Sequence, residues 1–202
     1  MEVFVLDLDT LRPRMEEALS LLSPARRAKA LQLRRELPRL QSVGAGLLLR
    51  AFFGAGDPLI APGGKPYYPG ERSFSLTHSG ALAAIALASE EVGLDAEKIA
   101  APRQAILPRV LTAEELRRPD SQSGEGFAFL WTRKEAALKC LGTGANRPLS
   151  SFSVLEDSVA LDGAVLQLHT VAWKEYMISA AARGDVSFTP RPIGAEDLLR
   201  MG

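Results

Sequence analysis

The chain repeats itself. Leu6 opens an LDLD run and Leu94 an LDAE run, 88 residues apart, and Gly46 opens GLLLRAFFGAG 88 residues before Lys134 opens KEAALKCLGTG. Between these landmarks stand LSPARRAK and LTAEELRR, starting at Leu22 and Leu111. Each has a Ser or Thr that can cap a helix, and Pro24 suits a first helical position. The second landmark ends in both copies in Gly-x-Gly, where glycine supplies a left-handed helix end. A sequence of this kind predicts one unit of strand, helices and later strands, built twice.

The later strands fit that unit. In the first copy RSFSLTHSG and ALAAIALASE read as strands, the second a small-residue apolar run suited to the inside of a sheet. In the second copy SSFSVLE, AVLQLHTVAW and YMISAAAR read as a meander. Strands and helices are segregated rather than strictly alternating, so the fold class is α+β, each half a small antiparallel sheet packed by helices. The halves divide as residues 1–98 and 99–202. Residues 118–126, RPDSQSGEG, read as a mobile polar loop, and the stretch from Arg183 onward as a tail over the surface.

Acids and bases balance at 24 each. No bulk charge draws the chain to nucleic acid or anionic lipid, so an anionic ligand would need local basic clusters. One cysteine, Cys140, excludes an internal disulfide and a cysteine-built metal site. The first residues, MEVFVLDLDT, lack the basic start of a secretion signal, and no apolar run approaches the roughly 20 residues a bilayer needs. A cytoplasmic protein is expected.

Four clusters could carry chemistry. Asp95 and Glu97 alternate with Leu94 and Ala96, so one strand face holds two carboxylates, which suit Mg²⁺. Alone, the pair could equally be a solvated sheet edge. In FLWTRKEAALKCLG, helical spacing puts Trp131, Glu135, Leu138 and Lys139 on one side, with Lys134 further toward solvent. Glu135 could serve a metal or accept a proton there, or simply pair with Lys139. His78 ends a strand in SLTHSG, where an imidazole can meet phosphate or stand exposed. Basic residues gather at Arg26, Arg27 and Lys29, and Lys65 sits in the rigid loop PGGKPYYPG; phosphate binding and plain solvation both fit.

Taken in order and at these spacings, GKP, FSLTHSG, VGLDAE and WTRKEAALKCLGTG resemble the 4′-phosphopantetheinyl transferases of the long, surfactin-synthetase type. The resemblance runs from the strand around Val3 to YMISAAAR and includes LSPARRAK and SFSV. It implies two halves related by a pseudo-twofold, with coenzyme A in the cleft between them. Asp95, Glu97 and Glu135 would hold Mg²⁺ on the coenzyme A diphosphate, which His78 and Lys139 would also contact. Lys65 would serve the nucleotide end, Thr77 the region of the adenine, and Arg26 and Lys29 the 3′-phosphate. Glu115, or Glu114 in a shifted register, matches a further acidic position near the metal. The implied reaction moves phosphopantetheine from coenzyme A to a serine of an acyl- or peptidyl-carrier protein and releases 3′,5′-adenosine bisphosphate, with Glu135 as general base and Lys139 and His78 offsetting charge.

The sequence departs from that pattern at Ala96, smaller than the usual bulky aliphatic residue, at Thr132 in place of serine, and at alanines 25, 28 and 30 in the first basic helix. Arg39 could compensate for the last. A silent coenzyme A-binding module and a Mg²⁺-dependent phosphohydrolase are the competing functional classes. A carrier would dock across residues 118–126, with Arg109, Arg117 and Arg118 as steering charges. One chain supplies both walls of the cleft, so a monomer is expected.

Overall fold

A computed structural model describes residues 1–143 and 147–201 of the chain. Strand β1 (Glu2–Asp7) opens a 3₁₀ turn leading to helices α1 (Met15–Ser20), α2 (Pro24–Gln32) and α3 (Glu36–Phe53). The Ser23 hydroxyl accepts the Arg26 N–H, capping α2 one residue before Pro24, as the LSPARRAK reading requires. A two-residue hairpin, β2 (Leu59–Ile60) and β3 (Pro66–Tyr67), precedes β4 (Ser73–Ser79) and β5 (Leu82–Ala88). Strand β6 (Val92–Lys98) and the short helix α4 (Leu107–Val110) lead to α5 (Gly124–Leu141). The chain ends with β7 (Ser158–Leu161), β8 (Ala164–Trp173), β9 (Tyr176–Ala182), β10 (Pro190–Pro192) and α6 (Ala195–Arg200).

The repeat is visible in the elements. Helices α3 and α5 each have 18 residues, and both their first and last residues lie 88 apart. Gly54 and Gly142 cap them with positive φ; Gly144, the second glycine of that motif, lies outside the described residues. The first sheet has the order β10-β1-β5-β4 and the second β6-β9-β8-β7. Within them β1-β5-β4 and β6-β9-β8 are the same antiparallel arrangement.

The two sheets are stacked between the helices. One apolar cluster joins α3 and α6 to the outer face of the first sheet, including Leu6, Leu48, Phe74, Ile85 and Leu198. Another joins α5 to the second sheet through Leu130, Ala137, Leu166 and Leu168. The third lies between the sheets, where Val3, Val5, Ala84 and Ala86 meet Leu94, Ala96, Ile178 and Ala180. Ala96 is thus a spacer between sheets and is fully buried.

Several local expectations change. The stretch SSFSVLE is not a strand but a 3₁₀ turn followed by irregular chain. Its backbone groups find side chains instead: Glu115 Oε1 accepts the Val154 N–H at 3.0 Å, and Lys134 Nζ donates to the carbonyls of Leu149 and Phe152. The 118–126 loop stops at Ser123, whose hydroxyl accepts the Gly126 N–H and caps α5. The tail does more than cover the surface. Strand β10 pairs parallel with β1, and Val186, Phe188 and Leu198 are buried. Strand β6 pairs within the second sheet, and the tail completes the first. Among the described residues no helix is long and apolar enough to cross a membrane.

Candidate active site

Helix α5 meets the second sheet through a stripe of small residues. Ala128, Thr132, Ala136 and Cys140 recur every four positions and are all buried. On β6, Gly93 removes the last obstacle. A Cβ there would stand 1.9 Å from the Ala136 carbonyl oxygen and 2.4 Å from the Cys140 nitrogen. The neighbouring helical stripe, Phe127, Trp131, Glu135 and Lys139, is half-buried and runs along the seam. The expected grouping of Trp131, Glu135 and Lys139 is present; Leu138 is core.

Asp95 is 4% exposed, with Lys139 Nζ 2.6 Å from its Oδ1 and the Thr77 hydroxyl donating to the same oxygen. Its other oxygen, Oδ2, is buried without a hydrogen-bond partner. The Ser79 hydroxyl donates to Glu97 Oε2 at 2.6 Å. Burial pushes the Asp95 carboxyl above its ordinary range, against the Lys139 ammonium and the Thr77 and Ala96 donors. Glu97 is also raised, by burial first, with Ser79 opposing and the charges of Asp95 and Glu135 adding to the rise. Glu135 is raised by burial and by Asp95, against Lys139.

Three acidic groups that feel one another's charge call for a cation. As the side chains stand, no three His, Cys, Asp or Glu groups among the described residues gather into a metal cluster. Lys139 holds Asp95 Oδ1 in that arrangement. Hard oxygen donors, mutual repulsion and the orphaned Oδ2 nevertheless fit a divalent ion.

His78 is separated from Thr77 by the pleat. Thr77 faces β6, whereas His78 lies on the side of Phe74 and Leu76. By area His78 is exposed, yet enough protein surrounds its ring that desolvation lowers its pKa. Its own backbone carbonyl opposes this, Lys139 lowers it further and Asp95 raises it. The Thr77 hydroxyl donates to Asp95 Oδ1 and accepts the Ala96 N–H.

Lys65 bridges the halves. Its ammonium binds the Glu91 carboxylate, the Val92 carbonyl at 3.0 Å and the Cys140 carbonyl at 3.1 Å. It lines three cavities, of about 730, 580 and 320 Å³, and shares the last with Lys139. Arg26 and Lys29 stand elsewhere, and neither touches the carboxylates among the described residues. Arg26 Nε is 2.9 Å from Asp57 Oδ1, close enough for an ion pair but not aligned for a hydrogen bond. Lys29 is exposed on α2, and Arg39 is spent on the Leu33 carbonyl.

Two expectations are overturned. Lys134 does not face solvent: it is fully buried, 2.9 Å from an equally buried Glu115. Glu115 in turn serves Lys134, the Thr112 N–H and the Val154 N–H, and so is structural rather than a metal neighbour. The Thr112-x-x-Glu115 capping box is the sequence signal that points this way. Glu114 is exposed. Of the steering arginines, Arg109 and Arg117 are exposed, while Arg118 grips Asp120 with two hydrogen bonds.

Comparison with known proteins agrees with the motif resemblance. Residues 91–180 match the family model of the 4′-phosphopantetheinyl transferase superfamily. The chain is 36% identical over 98 residues to a 4′-phosphopantetheinyl transferase of Bacillus subtilis, an alignment covering 45% of this chain and 43% of that protein. It is 33% identical over 97 residues to 4′-phosphopantetheinyl transferase Sfp of Bacillus subtilis strain 168, with the same coverage. With 4′-phosphopantetheinyl transferase psf-1 of Bacillus pumilus the identity is 37% over 84 residues, covering 40% and 36%. The aligned region thus spans less than half the length of each relative. The span matched by the family model contains Asp95, Glu97, Glu115, Lys134, Glu135 and Lys139, but not Arg26, Lys65 or His78.

Proposed function

We propose that this chain transfers the 4′-phosphopantetheine group of coenzyme A to a serine of an apo acyl- or peptidyl-carrier protein in a Mg²⁺-dependent reaction, releasing 3′,5′-adenosine bisphosphate. The observation that carries the reading is Asp95, buried at the seam with one oxygen on Lys139 and the other unpartnered, inside the matched region. The two similar topologies support a pseudo-twofold, with residues 1–98 supplying nucleotide contacts and residues 99–202 the metal-site helix and the carrier side. A cytoplasmic monomer acting on coenzyme A and a carrier protein, without nucleic acid or membrane, completes the proposal.

Asp95, Glu97 and Glu135 would hold the ion, which when bound supplies charge neutralisation at the diphosphate. The protein's own groups do the rest. Lys139 spends two N–H groups on Asp95 and the Leu94 carbonyl, and it lines the 320 Å³ cavity, so its third can meet a phosphate oxygen. His78, whose pKa burial lowers, can donate a hydrogen bond to a phosphate oxygen. Glu135, on the helical stripe that carries Lys139, is the group assigned to accept the serine proton. The serine oxygen bonds to the β-phosphorus as the bond to the bridging oxygen breaks, and the nucleotide leaves with that oxygen. Phosphoryl transfer needs little covalent help, so positioning and charge carry the rate.

Intact-mass analysis of an apo carrier incubated with coenzyme A, Mg²⁺ and this chain tests the proposal. One added phosphopantetheine is expected, and Glu135→Gln should bind coenzyme A but modify no carrier. Nucleotide release without a modified carrier would instead identify a phosphohydrolase, and coenzyme A binding without turnover a binding module.

A further inference from the structure

Strand β4 turns three hydroxyls toward β6, at Ser75, Thr77 and Ser79. Strand β6 is an edge of the second sheet, so alternate backbone N–H groups lack a neighbouring strand. The hydroxyls take them in register. Ser75 Oγ accepts from the Leu94 N–H at 2.9 Å, Thr77 Oγ1 from Ala96 at 3.2 Å and Ser79 Oγ from Lys98 at 3.1 Å.

Each hydroxyl keeps one proton to give, and the next residue of β6 back along the chain decides where it goes. Thr77 donates to Asp95 Oδ1 at 3.1 Å and Ser79 to Glu97 Oε2 at 2.6 Å. Opposite Ser75 the corresponding residue is Gly93, which has no side chain to receive a proton. The same strut therefore occurs three times, twice with a carboxylate and once without.

We propose that Thr77 and Ser79 are positioning residues for a divalent cation held by Asp95 and Glu97. Each hydroxyl locks one oxygen of its carboxylate and sets the direction of the other, and Asp95 Oδ2 is left buried and unpartnered for the ion. The first sheet thus aims ligands carried by the second. The inference rests on the proposal that these two carboxylates hold the metal.

The test uses the full chain and Mn²⁺ alone, with affinity read by paramagnetic resonance and folding by thermal melts in chelator. Ser79→Ala is expected to weaken Mn²⁺ binding about 10- to 100-fold, as loss of a group that orients a ligand does. Thr77→Val, of equal volume, should do the same through the other carboxylate. Ser79→Thr, which keeps the O–H, should restore wild-type affinity. Ser75→Ala removes the same backbone cap and should lower the melting temperature as Ser79→Ala does, while its Mn²⁺ Kd stays within about twofold of wild type. Equal Kd values for Ser75→Ala, Ser79→Ala and a wild type that binds Mn²⁺ would overturn the positioning role alone. A wild type that does not bind Mn²⁺ would overturn the metal reading and this inference with it.

Discussion

Lys134 and Glu135 are adjacent in sequence and opposite in character. One helical step of about 100° carries the first into the core and leaves the second at the seam. The Lys134 pKa is lowered by burial, opposed by Glu115, and its ammonium has a full set of partners in Glu115 and the carbonyls of Leu149 and Phe152. Removing one member of such a pair strands the other. Lys134→Met should therefore destabilise the fold by roughly 3–5 kcal/mol, and Lys134→Met with Glu115→Gln should recover part of that. Urea denaturation of the two variants measures it, and equal losses would mean that the two charges are not coupled. Lysine composition reads as solvent, and the partner lies 19 residues back in a capping box, so nothing local marks Lys134 as buried. The Asp95-x-Glu97 alternation, by contrast, needed only the two-residue period of a strand, and the structure puts both carboxylates on the α5 side.

Helix α5 is legible from sequence because its capping glycine and its period are local. Its distance from β6 is not, since that depends on which residue of another element lies beneath it. Gly93 decides it. Gly93→Ala would place a methyl within 1.9 Å of the Ala136 carbonyl oxygen, so helix and strand must part. Overpacking of this kind costs about 1–3 kcal/mol, and a displacement near 1 Å of Glu135 and Lys139 from Asp95 can cost about 100-fold in rate. Gly93→Ala is expected to fold with a reduced urea midpoint and to lose carrier modification disproportionately. Full turnover at reduced stability would show that the site tolerates a wider seam. The strand expected at SSFSVLE and absent there has the same origin: its apolar pattern suits a sheet, but Glu115 and Lys134 take its backbone groups.

Across the whole molecule, the seam concentrates three carboxylates in a chain whose formal net charge is zero. Asp95, Glu97 and Glu135 all titrate above their ordinary range in the fold. A raised carboxyl pKa contributes stability that is complete below the unfolded value and is lost as pH rises through the folded one. The metal-free protein should therefore be held back near neutral pH by its own site. His78 acts in the opposite sense, since its lowered pKa gives stability that is lost as pH falls, so the wild-type profile alone mixes the two. Glu135→Gln separates them. In chelator near pH 8 its urea midpoint should exceed that of wild type, and the gap should close as pH falls and the wild-type carboxyl takes up its proton. Excess Mg²⁺ should raise the wild-type midpoint more near pH 8 than near pH 5, because protons compete with the ion for the same oxygens. It should raise the Glu135→Gln midpoint less. A gap that ignores pH would place the Glu135 charge outside the cluster, and with it the base assigned to the serine proton.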